Sequence, residues 1–211
     1  MNPDVVLQRW FERSGEYSPR YYAHYGPDDT SKSIRQTLTA TLGGEAAILE
    51  LGCSSGRHLA HLFDHGYRDL HGIDINTDAF AVMEETYPEL AEVGSFYCDA
   101  IENVLAEFDD GQFDAVYSVE TLQHIHEDNA WVFEEVARVT DDVLITAEIE
   151  GPQETDPATE ESVNYVDDDV PLYYRNWRTV FTEYGLTQTD RQCIGRETIR
   201  VFRRESSLNG D

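Results

Sequence analysis

Cysteine is scarce in this 211-residue chain: Cys53, Cys98 and Cys193 are its three, an odd number with no CxxC pair. That pattern gives no disulfide framework and no zinc site, and it fits a reducing compartment with free, mostly buried thiols. No apolar run approaches the ~18–20 residues that span a bilayer, and the opening MNPDVVLQRW lacks the apolar core of a signal peptide. A cytoplasmic protein without a membrane partner is therefore expected. Lysine is rarer still. Lys32 stands alone, and 15 basic residues face 42 acidic ones, for a net charge of −27. Acid excess of this kind accompanies disorder in many chains. Here 40% of the residues are hydrophobic, 11% are aromatic, and apolar patterning runs through nearly the whole chain. The length fits one folded domain with a full core.

No internal repeat is apparent. Residues 4–13 have helical apolar spacing, ended by Ser14 and Gly15. The stretch SPRYYAHYGPDD (18–29) reads as a tyrosine-rich loop, and Thr30 or Ser31 as the cap of a helix through Leu42. From residue 46 strand and helix alternate, with strands at 46–51, 69–75, 95–99, 113–119 and 142–149. Helices at 57–65, 76–87, 100–108 and 129–139 separate them. The acidic stretch 150–171 reads as a long loop, of the length that forms lids or binding loops. A helix over 173–185 and strands at 186–194 and 197–204 follow, then a fraying tail, 205–211. The fold class is α/β: a doubly wound, mostly parallel, seven-stranded sheet with an antiparallel C-terminal hairpin. Residues 1–43 form a helical N-terminal extension or lid, and 44–204 the main domain.

In such sheets ligands bind at the carboxyl ends of the strands, which is where ILELGCSSGRHL (48–59) turns from strand to helix. Glycines there let the backbone turn sharply and approach a ligand closely. A dinucleotide fingerprint, GxGxxG, is missing: counted from Gly52, its third position is Ser54 and its sixth is Arg57. No Gly-Lys-Ser/Thr follows, so a Walker loop is excluded as well. Gly52-x-Ser54-x-Gly56 after the acidic strand end at Glu50 fits a nucleoside cofactor without a phosphate.

The sequence resembles class I S-adenosylmethionine-dependent methyltransferases of the small-molecule branch. ILELGCSSGRHL is similar to their first motif, E/D-x-G-x-G-x-G, with Ser54 in place of the middle glycine. GIDIN (72–76), YCDAIENV (97–104) and FDAVYSVETLQHI (113–125) resemble the next three motifs in order. The resemblance implies S-adenosylmethionine as cofactor, held by Glu50, Gly52, Cys53, Ser54, Gly56, Asp74, Ile75, Asp99, Ala100 and Ser118. Asp74 would take both ribose hydroxyls, since a carboxylate accepts two O–H donors. Asp99 would lie near the adenine amino group, with Ala100 or Cys98 beside the ring. The N/D-P-P-Y/F segment of enzymes that methylate exocyclic or amide nitrogens is replaced by SVET (118–121), so DNA is not an expected substrate.

Methyl transfer from a sulfonium is an in-line displacement, so alignment and removal of a proton are the protein's tasks. His124 is the best-placed candidate for general base, and Glu120, nearer the strand end, is the other. His126 reads as a solvated loop residue. In relatives the N-terminal extension folds over the cofactor, which makes Tyr22 and Tyr25, with Tyr21, candidates to exclude water or touch substrate. Tyr173 and Arg175, flanking the acidic stretch with Tyr165, Tyr174 and Trp177, are substrate-pocket candidates. His58, His61 and His65 share one helix face at i, i+3 and i+7, but no carboxylate or cysteine completes a metal site, and they read as a solvated face. The expected activity is methyl transfer to a small molecule. Its rivals are a non-catalytic partner protein on the same fold and an RNA- or protein-directed methyltransferase. Lysine scarcity with dispersed acid resembles proteins of salt-accumulating halophiles. At ~1 M salt the Debye length is ~3 Å, so that charge would neither steer partners nor repel nucleic acid strongly.

Overall fold

Capping residues set the first three helices. In this computed structural model, which describes residues 2–150, 163–166 and 170–204, α1 (Pro3–Phe11) opens where the Asn2 side chain accepts the Asp4 N–H at 2.9 Å. Helix α2 (Pro19–Tyr25) starts with a capping Ser18 and a proline in its first turn. Its ring locks φ at a helical value and its missing N–H is not needed there, so part of the stretch expected as a loop is a helix. Helix α3 (Asp29–Thr41) is capped by Asp28, and Ser31 returns the bond to the Asp28 N–H, rather than serving as the cap itself.

Four strand–helix units and a fifth strand follow. They comprise β1 (Ile48–Leu51), α4 (Arg57–Phe63), β2 (Leu70–Asp74), α5 (Asp78–Thr86), α6 (Pro88–Val93), β3 (Ser95–Cys98), α7 (Ile101–Val104), β4 (Phe113–Val119), α8 (Val132–Val139) and β5 (Thr140–Glu148). Pro88 divides the expected helix 76–87 from α6, which the sequence reading lacks. The hairpin β6 (Val163–Val166) and β7 (Val170–Tyr173) lies where a loop was expected. Residues 151–162 and 167–169 of that stretch, and the tail 205–211, lie outside the described residues. Tyr173 ends a strand, so α9 (Trp177–Glu183) begins four residues later than expected, capped by Asn176. Strands β8 (Leu186–Ile194) and β9 (Glu197–Arg204) close the chain as an antiparallel pair.

The main sheet runs β3-β2-β1-β4-β5-β9-β8, with the first five strands parallel. β9 is antiparallel to β5 and to β8 and lies between them. The central strands are apolar on both faces because helices cover both. Leu49, Leu51, Val116 and Leu144 join Phe133, Trp177 and Phe181 on one side, and Ile48, Ala115, Val143 and Ile145 join Ile34, Leu38, Leu59 and Met83 on the other. Cys53 is buried as expected, whereas Cys98 and Cys193 are exposed, which corrects the expectation of mostly buried thiols. His58 is not solvated either. It is buried under α3 with Nδ1 2.7 Å from the Ser31 hydroxyl, and burial lowers its pKa to about 3. Among the described residues no helix is long and apolar enough to cross a membrane.

One buried carboxylate fixes the segment after β4. Glu148, at the end of β5, accepts the Ser118 hydroxyl at 2.5 Å and the N–H groups of Thr121, Leu122 and Gln123 at 3.2–3.3 Å. Burial pushes its pKa up to about 7, against the pull of those donors. Glu148→Gln keeps the shape but turns an N–H toward N–H donors. Urea unfolding should show a loss of about 3 kcal/mol, the order expected when a buried charge network loses one member.

Candidate functional site

The turn between β1 and α4 is shaped by three residues with positive φ: Gly52 at +69°, Ser54 at +49° and Gly56 at +79°. A Cβ on Gly52 would collide with the Thr121 side chain, so the β4 segment sits directly against this backbone. The Cys53 N–H donates to the Ile73 carbonyl at 2.9 Å, continuing the β1–β2 ladder into the turn. The Ser54 N–H donates to Asp74 Oδ2 at 2.7 Å, and the Asn76 N–H to Oδ1 at 2.8 Å. Ser54 therefore occupies a left-handed position as a non-glycine because its amide is anchored. Each Asp74 oxygen holds one amide and retains acceptor capacity. Burial pushes Asp74 up to about 6, with the two amides pulling it down. One strand over, Glu50 accepts the Tyr117 hydroxyl at 2.9 Å, and burial holds its carboxyl well above the usual range.

These strand ends open into a cavity with about 1130 Å³ of atom-free space, its mouth included. Its floor contains Glu50, Gly52, Cys53, Ser54, Asp74, Ile75 and Ala100. Its roof is α1 and α2, through Val6, Leu7, Trp10, Pro19 and Tyr22. The roof is tied down at one residue beside Asp74. The Asn76 side chain donates to the carbonyls of Trp10 at 3.1 Å and Arg13 at 3.0 Å, at the C-terminal end of α1. From there the Trp10 ring reaches over to His124, with centroids 4.8 Å apart. Arg57 adds a second tie, pairing with Asp28 at 2.8 Å while its guanidinium lies 5.0 Å over the Tyr22 ring.

Several expected site residues lie elsewhere. Gly56 shapes the turn but is not in the cavity wall. Asp99 is exposed, and its Oδ1 accepts the Ala100 N–H at 2.7 Å and the Asn103 amide at 2.9 Å. The Ser118 side chain is fully buried on Glu148, away from the wall. Tyr25 is 63% exposed and lines a separate surface pocket. Tyr173 is buried against His126 and Arg175, and Arg175 donates to the carbonyls of Leu122 and Ile125, so both support the loop from behind. His126 is half-buried in the cavity wall rather than solvated. Trp10, Arg13, Asn76, Glu102 and Asn129 also line the cavity and were not anticipated. Val6, Leu7 and Trp10 formed a legible apolar stripe, but the surface it covers is made by distant strand ends.

His124 and Glu120 both reach the wall, with their chemistry constrained. His124 Nδ1 lies 2.8 Å from the Pro171 carbonyl, which only accepts, so that nitrogen carries the proton. Nε2 is 3.4 Å from the Gln123 amide nitrogen, whose orientation is set by the Ile149 N–H on Gln123 Oε1 at 2.8 Å. Burial lowers the His124 pKa to about 4, so the imidazole is neutral at pH 7 and weakly basic. Glu120, at φ +47°, is gripped by Arg196 through two bonds of 2.8 and 2.9 Å. The latch at Asn76 is directly testable. Asn76→Ala should raise amide hydrogen exchange in α1 by about tenfold, the worth of two lost hydrogen bonds at a helix end, with the β1 and β4 amides unchanged.

Residues 48–142 match the family model described as a methyltransferase domain. A comparison with curated proteins finds none that matches this sequence. Among solved structures, the chain is similar to the 1,6-didemethyltoxoflavin-N1-methyltransferase of Burkholderia thailandensis, crystallised with 1,6-didemethyltoxoflavin and S-adenosylhomocysteine. The identity is 16% and the TM-score 0.65, over 83% of this chain and 78% of that one. It is also similar to magnesium protoporphyrin IX methyltransferase of Synechocystis PCC 6803 with bound S-adenosylmethionine, at 17% identity and a TM-score of 0.60, over 94% and 89% of the two chains. A third is a Pyrococcus horikoshii OT3 protein, at 21% identity and 0.62, over 91% and 100%. The glycine turn, the β2 carboxylate and the β4 segment all fall within 48–142, the residues that match the methyltransferase-domain model, and the chain shares the α/β fold of these solved methyltransferases.

Proposed function

We propose that the chain is an S-adenosylmethionine-dependent methyltransferase that transfers the methyl group to a small-molecule acceptor by in-line displacement. The observation that carries this reading is Asp74. Its half-buried carboxylate sits beside the glycine turn, each oxygen braced by one backbone amide and able to accept one more donor. That arrangement fits a vicinal diol. The apolar Ile75, Ala100 and Ile101 beside it fit a flat base, and no phosphate-sized cation cluster is called for.

The cofactor supplies an electrophilic methyl group on a sulfonium, and the protein's contribution is alignment and exclusion of water. Asp74 orients the sugar. The turn 52–56 presents backbone at close range because Gly52 has no side chain. Trp10 and Tyr22 close the roof, and the Asn76 latch couples that roof to the residue that holds the sugar. Neither candidate base is strong: His124 is held near 4 and Glu120 is paired with Arg196. The site therefore suits acceptors that are nucleophilic as they arrive, such as a carboxylate, a thiolate or a neutral amine, over alcohols that must first lose a proton. The reading includes a salt-rich cytoplasm, supported by the single lysine against 42 acidic residues.

Calorimetry with S-adenosylhomocysteine should show micromolar binding by the wild type. Asp74→Ala should weaken it about 100-fold or more, as two charge-assisted hydrogen bonds disappear. No binding by folded wild-type protein would reject the function. The carboxylate is the competent form, so affinity should be full above pH ~6 and fall about tenfold per pH unit below it, following the raised Asp74 value of about 6. Thermal unfolding should shift to higher temperature as KCl rises from dilute to molar, because screening relieves the self-repulsion of the −27 charge.

A further inference from the structure

The ion pair of Glu120 and Arg196 joins the cavity wall to the turn between β8 and β9. Glu120 follows β4 in a left-handed backbone position, φ +47°, with its N–H on the Ala147 carbonyl at 2.9 Å. A residue with a Cβ keeps such a position only where its surroundings impose it, often at a functional site. Arg196 donates through Nε to Glu120 Oε1 at 2.8 Å and through Nη2 to Oε2 at 2.9 Å. That fork uses two of the five guanidinium N–H groups. Among the described residues nothing accepts from the other three, and the Arg196 side chain is 61% exposed. Glu120, Tyr17 and Tyr22, which feel its charge, all line the cavity. Glu120 thus fixes the plane of a guanidinium whose outer edge is open.

The surroundings select the sign of the ligand. Arg13 lies 5.4 Å over the Tyr17 ring and Arg57 5.0 Å over the Tyr22 ring. Three of the 15 basic residues of this acidic chain therefore gather about Tyr17 and Tyr22. An ammonium group seeks an aromatic face and a spare carboxylate. Here a guanidinium already sits on each ring, where it repels a second cation, and the Glu120 carboxylate is paired. A carboxylate, in contrast, can take Nη1 and the remaining Nη2 proton of Arg196 side by side, the two-pronged geometry that arginine favours. The Tyr22 hydroxyl has no hydrogen bond among the described residues, and burial and the Glu120 charge raise its pKa, so it stays a donor. We propose that Arg196 determines specificity by holding a carboxylate of the methyl acceptor, apart from the atom that receives the methyl group. The inference rests on the methyl-transfer reading above and narrows the acceptor to a small acid, with Trp10, Tyr17 and Tyr22 lining the space for its apolar part.

The test titrates protein saturated with S-adenosylhomocysteine with benzoate, benzamide and benzylamine in one KCl buffer at neutral pH, with binding read by ligand-observed NMR. The three probes share a ring and differ in charge. The wild type should bind benzoate about tenfold more tightly than the other two, the order of gain from a charge-assisted, two-pronged pair. Arg196→Gln should remove that preference. Glu120→Gln should strengthen benzoate binding by about threefold or more, because it deletes a negative charge beside the ligand while its amide oxygen still accepts from Arg196. Opposite signs separate a ligand site from a structural ion pair, whose two halves would fail alike. The proposal is overturned if the wild type holding S-adenosylhomocysteine shows no preference for benzoate, if Arg196→Gln keeps the preference, or if Glu120→Gln weakens benzoate as Arg196→Gln does. Should Arg196→Gln fail to fold, the wild-type preference and the sign of the Glu120→Gln change still decide. A folded wild type that does not bind S-adenosylhomocysteine would reject the proposed function itself, an outcome distinct from the loss of benzoate preference.

Discussion

The clasp of two backbone amides on the Asp74 carboxylate organises the site. One amide belongs to the β1–α4 turn and the other to the start of the segment after β2, so a single side chain fixes the relative positions of two strand ends. The same contact makes a left-handed Ser54 tolerable, since the anchored amide offsets the cost that such a backbone carries for a residue with a Cβ. Asn76, held by its own N–H on Asp74, then extends the clasp to the roof by donating to the Trp10 carbonyl of α1 and the Arg13 carbonyl just beyond it. Floor, turn and roof thus share one electrostatic centre.

Glu148 plays the corresponding part on the other side of β1. It collects a hydroxyl and three amides and thereby holds the 120–124 segment against Gly52, where no side chain intervenes. Glu148 is fully buried and Asp74 half-buried, and each is raised toward neutrality, to about 6 for Asp74 and about 7 for Glu148. Removing such groups from water is tolerated only where converging donors replace it. Glu148 is enclosed by one hydroxyl and three backbone N–H groups, whereas Asp74 has two backbone N–H groups and a side open to the cavity.

Much of this was legible before the structure. The alternation of strands and helices, the turn at 52–56 and the acidic end of β2 follow from local periodicity and short motifs. What escaped the sequence is non-local. Tyr173 and Arg175 flank an acidic stretch, yet they pack behind the 122–126 loop, because the β6–β7 hairpin was hidden in a run with no regular alternation. Asp99 satisfies a motif, but its side chain is exposed, with Oδ1 turned to the neighbouring Ala100 and Asn103. Glu102, three residues on, has no motif, and its place in the cavity wall shows only in the folded chain. The helix α2 was read as loop because its seven residues are too few to establish a 3.6-residue period, although Ser18 and Pro19 form a legitimate start signal.

The placement of β9 between β5 and β8 has a consequence for how the chain reaches this state. β8 precedes β9 in the chain but borders it alone, so after synthesis through Ile194 it has no strand to pair with. Until residues 197–204 arrive, β5 presents an open ladder of N–H and C=O groups, with Ile145 and Ala147 among the buried side chains beside it. Such an edge invites pairing with another nascent chain. Completion of the sheet consequently waits for β9, and the period before it is when this sheet is most exposed to misassembly.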